Sequence, residues 1–253
     1  MVKNKSSKFD IDFSRKYHAL LKARKKIAEK LIEIGQYSPD DFKTHANEFA
    51  ELHAQNAEYQ QNIYDMLIDE QAFEKYAKKL FDTSISTIVN DKTLTKYALN
   101  FAKLSDQEFQ DFGQRFLNIY TKLHQLEQVY FNSQSDTITH DVPAYYNDTN
   151  KEIAMSAMYC KNLDDFIGQI LHEFTHHIYW YNPEYGPIGA QKSFAAIRSG
   201  YGDPGYDTIE QYKRRPFEAP AYSVQDYVSS NKFTNVLIQR INTKNILTTP
   251  QHD

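Results

Sequence analysis

Five consecutive residues, His172-Glu173-Phe174-Thr175-His176, place two imidazoles four positions apart with a carboxylate beside the first. On a helix, positions i and i+4 are neighbours, so both rings project from one face about 40° apart. Imidazole nitrogens at that spacing reach one divalent cation, and zinc takes such ligands at about 2.0–2.1 Å. Glu173, about 100° round from His172, then stands beside the cation without having to bind it. From there its carboxylate can take a proton from a water that the cation has acidified. The chemistry on offer is hydrolysis by an activated water.

Such a site needs a third protein donor, and three readings compete. Glu218 follows His176 by 42 positions, within Arg214-Arg215-Pro216-Phe217-Glu218-Ala219-Pro220-Ala221-Tyr222. Pro216 suits a first helical turn, which puts Glu218 in that turn and Tyr222 one turn further along the same face. Asp203 is the second reading, inside the glycine-rich Gly200-Tyr201-Gly202-Asp203-Pro204-Gly205-Tyr206; Glu184 and Glu210 are the third. A carboxylate on a rigid helix is positioned more accurately than one in a loop, which favours Glu218 over Asp203. The plainer alternative for Glu218 is an acid that only complements a helix dipole. Gly200, Gly202 and Gly205 also spell GxGxxG, the dinucleotide-binding spacing. That motif must follow a strand and open a helix, and Pro204 interrupts it here, so it is rejected.

These residues must be held by elements. A helix from about Asn162 to Tyr181 carries both histidines, with Asn162 as cap. Leu163, Ile167, Ile170, Phe174 and Ile178 cluster on its opposite face and anchor it in a core. Ahead of it, Val142–Asn147 and Glu152–Cys160 read as strands around the turn-forming Asn147-Asp148-Thr149-Asn150. Pro183 to Gly205 holds eight of the sixteen Gly and Pro residues and reads as a long loop. Helices follow over roughly Pro216–Ser229 and Thr234–Ile241. The first 130 residues contain one proline, Pro39, and two glycines, Gly35 and Gly113, so they read as stacked helices. These span about 13–34, 39–60, 61–82 and 92–103, with a last one from the capping box Ser105-Asp106-Gln107-Glu108 to about Phe131.

Composition sets the outer limits. The 253 residues include 19 Tyr, 16 Phe and 1 Trp, which supply a core and exclude a disordered chain. The single cysteine, Cys160, excludes an internal disulfide and a thiolate-rich metal site. A net charge of −4 argues against nucleic acid as a partner. No apolar run reaches the roughly 18 residues of a membrane span, and the charged start lacks a secretory signal. The expected location is cytoplasmic, or outside by a route without a cleavable Sec-type signal. Ten Lys/Arg against three Asp/Glu in the first thirty residues read as a solvated helix face.

The motif, the strand pair before it and the acid after it resemble the zincin metallopeptidases, over about the last 120 residues. The metzincin extension HExxHxxGxxH does not apply, since Tyr179 stands at its glycine and Asn182 at its third histidine. Glu218 on a later helix resembles the gluzincin arrangement, and Pro216–Ala221 is similar to a P-x-E-x-x-A string found after HExxH. Tyr222 departs from the aspartate of the thermolysin-like pattern. Asp203 fits the G-x-x-D-x-x-Y core of the aspzincin signature, without that signature's Thr and closing Gly.

The resemblance implies one Zn²⁺ per chain on His172, His176 and Glu218, Glu173 as general base, and a peptide or protein substrate. It also implies that a strand before the helix, Ile153–Ala157, lines the cleft and pairs with extended substrate. A donor to the developing oxyanion is implied too; Tyr206, Tyr212 and Tyr222 stand open for it, and Tyr222 is taken with Glu173 as the expected catalytic pair. The expected fold is α+β and mostly helical, with a helical region over 1–103 and a zincin-like unit with a small sheet over 104–253. Two rivals are carried: a non-catalytic zinc-containing helical binding protein, and a zinc amidase acting on a non-protein substrate. His177 reads as a packed or supporting histidine, His124 and His140 as structural or surface residues, and Cys160 as a small buried hydrophobe.

Overall fold

The computed structural model describes residues 8–135, 138, 143–200 and 208–248. The chain divides between Ile68 and Asp69 into two units. The first is a pair of long helices, α1 (Lys8–Gly35) and α2 (Pro39–Leu67). Ser38 caps α2 by accepting from the Asp41 amide, and Asp40 and Asp41 complement the positive helix end. Phe13, Tyr17, Ile27 and Ile34 are buried on α1, and Ile63, Tyr64 and Leu67 on α2. Arg24 crosses the pair to Asn56 and Gln60. The break expected near residue 60 does not occur, because α2 contains no glycine or internal proline to stop it.

The second unit is α+β and mostly helical. Helices α3 (Glu70–Asn90), α4 (Lys92–Leu99) and α5 (Asp106–Leu123) lead into strands β1 (Tyr130–Asn132), β2 (Ala144–Asn147) and β3 (Glu152–Met155). Helices α6 (Leu163–Tyr181), α7 (Ala190–Gly200), α8 (Ile209–Lys213), α9 (Ala219–Ser230) and α10 (Phe233–Thr248) follow. Helices α3 and α4, which fall within the helical region expected over 1–103, belong to this second unit. The physical reason is a shared core: Leu80, Phe81 and Ile88 of α3 and Phe112 and Phe116 of α5 bury with Phe166 and Phe174 of α6 and Val224 of α9.

The sheet has the order β1-β3-β2, with β1 parallel and β2 antiparallel to β3. Strand β1 lies where a helix to Phe131 was expected. Helix α5 instead ends at Leu123, and Gln125 takes a left-handed backbone (φ 53°) that turns the chain back. Side-chain amides of α5 then satisfy β1: Gln114 accepts from the Phe131 amide at 2.8 Å and Gln110 donates to the Phe131 carbonyl at 2.6 Å. Gly113 makes room for this, since a Cβ there would lie 2.4 Å from the Phe131 ring. Strand β3 stops at Met155, short of the expected Cys160. The Ser156 hydroxyl accepts from the Met158 amide and starts a 3₁₀ turn over Ala157–Tyr159.

The long loop expected over Pro183–Gly205 contains α7, because residues 190–199 run without a breaker between Gly189 (φ 78°) and Gly200. Among the described residues no helix is long and apolar enough to cross a membrane.

Candidate metal centre

The centre is built on α6. Asn162 caps the helix, its Oδ1 accepting from the Asp165 amide at 2.9 Å, and Asp164 and Asp165 lie in the first turn. Leu163, Ile167, Ile170, Phe174 and Ile178 are buried, as their spacing requires. Phe166 stacks on Phe112 at 4.9 Å, and Phe174 meets Tyr120 edge-on at 5.0 Å. Each such side chain contributes about 1.5–3 kcal/mol on burial, so the helix cannot rotate about its axis without losing several of them. That fixes the other face.

On that face His172, Glu173 and His176 form a buried cluster, with one ligand-type atom of each within 4.8 Å of the others. The cluster is compatible with an HExxH zinc site. Glu218 joins it from a distant part of the chain. Its Oε2 lies 3.4 Å from His172 Nε2 and 3.5 Å from His176 Nε2. Tetrahedral zinc with bonds of about 2.0–2.1 Å sets neighbouring donors about 3.3–3.4 Å apart, so these separations fit one ion held by all three. Glu218 Oε2 is buried and faces the two imidazole nitrogens, a placement that suits a carboxylate oxygen sharing one cation with them. The residues present fit the metal.

Supporting contacts hold each donor. Phe217 stacks on the His176 ring at 4.3 Å and 18°, and Tyr222 meets the His172 ring edge-on at 4.6 Å. Tyr212 donates from its hydroxyl to Glu218 Oε1 at 2.8 Å. Glu218 is the residue before α9 rather than part of its first turn, and Pro220, not Pro216, occupies the opening of that helix. Arg215 accounts for the shift: its carbonyl accepts from the Glu218 and Ala219 amides and closes a separate turn there. Tyr222 still falls one turn on, its amide donating to the Glu218 carbonyl at 2.9 Å.

The two carboxyls are driven apart in acidity. Burial pushes Glu173 up to about 7, and the neighbouring Glu218 charge adds to this against the pull of His172. Burial acts on Glu218 in the same sense, but hydrogen bonding and charge from His172 and His176 outweigh it and hold the carboxyl well below its ordinary range.

Strand placement differs from expectation. Strand β3 is the middle strand, paired on both sides, so it has no edge to offer a substrate. The strand beside the centre is β2. Tyr146 of β2 makes a backbone hydrogen bond to Glu173, and its hydroxyl lies 2.9 Å from His177 Nδ1. His177 Nε2 lies 3.1 Å from the Glu127 carbonyl, so both ring nitrogens are used and His177 is not a ligand. His124 and Cys160 are buried, and Glu184 and Glu210 are exposed. Asp203, Tyr206 and His140 lie outside the described residues.

The chain matches no family model, no curated protein and no solved structure. The functional reading therefore rests on the site. Tyr146 and Phe217 were missed by sequence reasoning; the crowding of eleven tyrosines between Tyr145 and Tyr227 was a signal of an aromatic surround, without saying which ring goes where.

Proposed function

We propose that this chain is a zinc-dependent metallopeptidase of gluzincin-like arrangement, with His172, His176 and Glu218 holding one Zn²⁺. The observation that carries the reading is Glu218 Oε2, buried and set at ligand-edge distance from both imidazole Nε2 atoms. When bound, zinc would supply Lewis-acid polarisation of a carbonyl and acidification of water. The residues do the rest. Glu173 takes the proton as the water oxygen bonds to the scissile carbon. It then passes that proton to the amine nitrogen as the C–N bond breaks. Its raised affinity for a proton suits it to both halves of that transfer. Tyr222 sits against His172, and burial first, then the Glu218 and Glu173 charges, push its phenol up to about 12. It therefore keeps a proton to donate to the developing oxyanion. The outer edge of β2, next to Glu173, is where an extended substrate would pair.

A four-donor closed site using Glu173 would support the non-catalytic rival. The test is metal content and peptide cleavage measured together. The purified chain should carry about one zinc and cut a mixed peptide library, read by mass spectrometry. Glu173→Gln should retain the zinc and lose cleavage. Loss of zinc from Glu173→Gln, or undiminished cleavage by it, overturns the reading; a cut library of acylated amines with intact peptides moves it to the amidase.

A further inference from the structure

A carboxylate offers a cation two equivalent oxygens, and its terminal torsion is soft enough to present either or both. Glu218 is not free to do so. Its Oε1 accepts the Tyr212 hydroxyl at 2.8 Å, while Oε2 alone is left between His172 Nε2 and His176 Nε2. As the residue before α9, Glu218 makes no side-chain capping bond to that helix, so nothing of its own backbone orients the carboxylate. Tyr212, by contrast, is well anchored. It rides on α8, whose start is closed by a reciprocal capping box: Thr208 Oγ1 accepts from the Gln211 amide and Gln211 Oε1 from the Thr208 amide. The Arg215 guanidinium lies 5.3 Å over the Tyr212 ring, and the Tyr222 ring packs edge-on at 6.2 Å.

We infer that Tyr212 is a positioning residue that makes Glu218 a one-oxygen ligand, keeping the rest of the coordination sphere open for water and substrate. A hydroxyl proton on Oε1 occupies one of that oxygen's lone pairs and ties the carboxylate in one orientation, which favours contact with the cation through Oε2. The inference rests on the reading of His172, His176 and Glu218 as metal donors. It also takes Tyr212 out of the set of hydroxyls available to an oxyanion, since its proton is already committed to Glu218.

The test compares the full-length chain with Tyr212→Phe, using Zn²⁺ alone and Co²⁺ alone as probes. Phenylalanine keeps the ring contacts with Arg215 and Tyr222 and deletes only the hydroxyl. Zinc affinity, measured by competition with a chromophoric chelator, should fall about 10-fold, the lower end of what loss of a ligand's supporting hydrogen bond costs. The Co²⁺ visible bands should weaken, as the released second oxygen raises the coordination number above four. A merely structural tyrosine would not move that spectrum. The zinc-induced rise in Tm, taken for each variant against its own metal-free form, separates affinity from any loss of fold. Equal affinity and an unchanged Co²⁺ spectrum in Tyr212→Phe, with one zinc bound by the unmodified chain, overturn the inference and leave the metal site standing. An unmodified chain that binds no zinc, or binds it equally with His172→Ala, overturns the site and this inference together.

Discussion

The two sides of the candidate metal centre are made in different ways. The imidazoles project from α6, in which fourteen of 19 residues are buried, so their positions follow from one helix locked into the core. The carboxylate comes from the junction between the five-residue α8, which buries none of its residues, and α9. It is held by one tyrosine hydroxyl, a closed turn at Arg215 and the stacking of Phe217 on His176. One side is therefore stiff because the whole unit is stiff, and the other because a few polar and aromatic contacts happen to converge. That difference predicts where substitutions will be felt as lost stability and where only as lost metal.

The largest effects belong to the donors themselves. His172→Ala, His176→Ala and Glu218→Ala should each strip the chain of most of its zinc, measured by elemental analysis after gel filtration. The Glu218 variant should do so with little change in metal-free Tm, because only that side depends on local contacts. Full zinc in Glu218→Ala would move the third donor to another residue and break the comparison. Glu173→Gln comes next, with metal retained and peptide cleavage reduced about 10²–10⁴-fold, the usual contribution of a general base.

A pair of aromatic variants sharpens the contrast. Phe174→Ala, in the core beneath α6, should destabilise the unit by about 3–5 kcal/mol in denaturant unfolding. Phe217→Leu roughly conserves volume and should cost less than about 1.5 kcal/mol. It nonetheless removes the ring that aligns His176, so zinc affinity should drop while the fold persists. Equal stability losses in the two variants would contradict a division of labour between the sides.

A pH dependence tests the core side. His124 packs between Tyr120 and Phe174, where burial first and the Lys79 charge second lower it from 6.5 to about 4. Between those values the unfolded chain binds this proton and the folded chain does not, so stability should fall as the pH drops through that window. His124→Gln should flatten that part of the stability curve, followed by unfolding at several pH values. An unaltered acid limb would mean that His124 is not what the core loses on acidification.

What was legible in the sequence was what a single element encodes. The five-residue motif, its apolar backing and the Asn162 cap all obey helical periodicity, so α6 was predictable nearly to the residue. The Ser105 capping box was legible for the same reason: donor and acceptor lie three residues apart. Boundaries set by long-range partners were not. Strand β1 pairs with β3, and Gln110 and Gln114, some twenty residues earlier, bond its backbone as well. Likewise, whether β2 or β3 would be the edge depended on a parallel partner that no local pattern announces.

The sequence by itself determined that two imidazoles and a carboxylate would share one helical face, because backbone hydrogen bonding repeats at 3.6 residues whatever surrounds it. It also nominated Glu218, through Pro216 and a plausible helix start, though for a slightly wrong local reason. Only the tertiary structure decided that Glu218 Oε2 meets both Nε2 atoms, that Tyr212 takes the other oxygen, and that Tyr146 brings β2 to Glu173. Those meetings join segments tens of residues apart, and their geometry depends on how α6, α8 and α9 pack, which no spacing along the chain encodes.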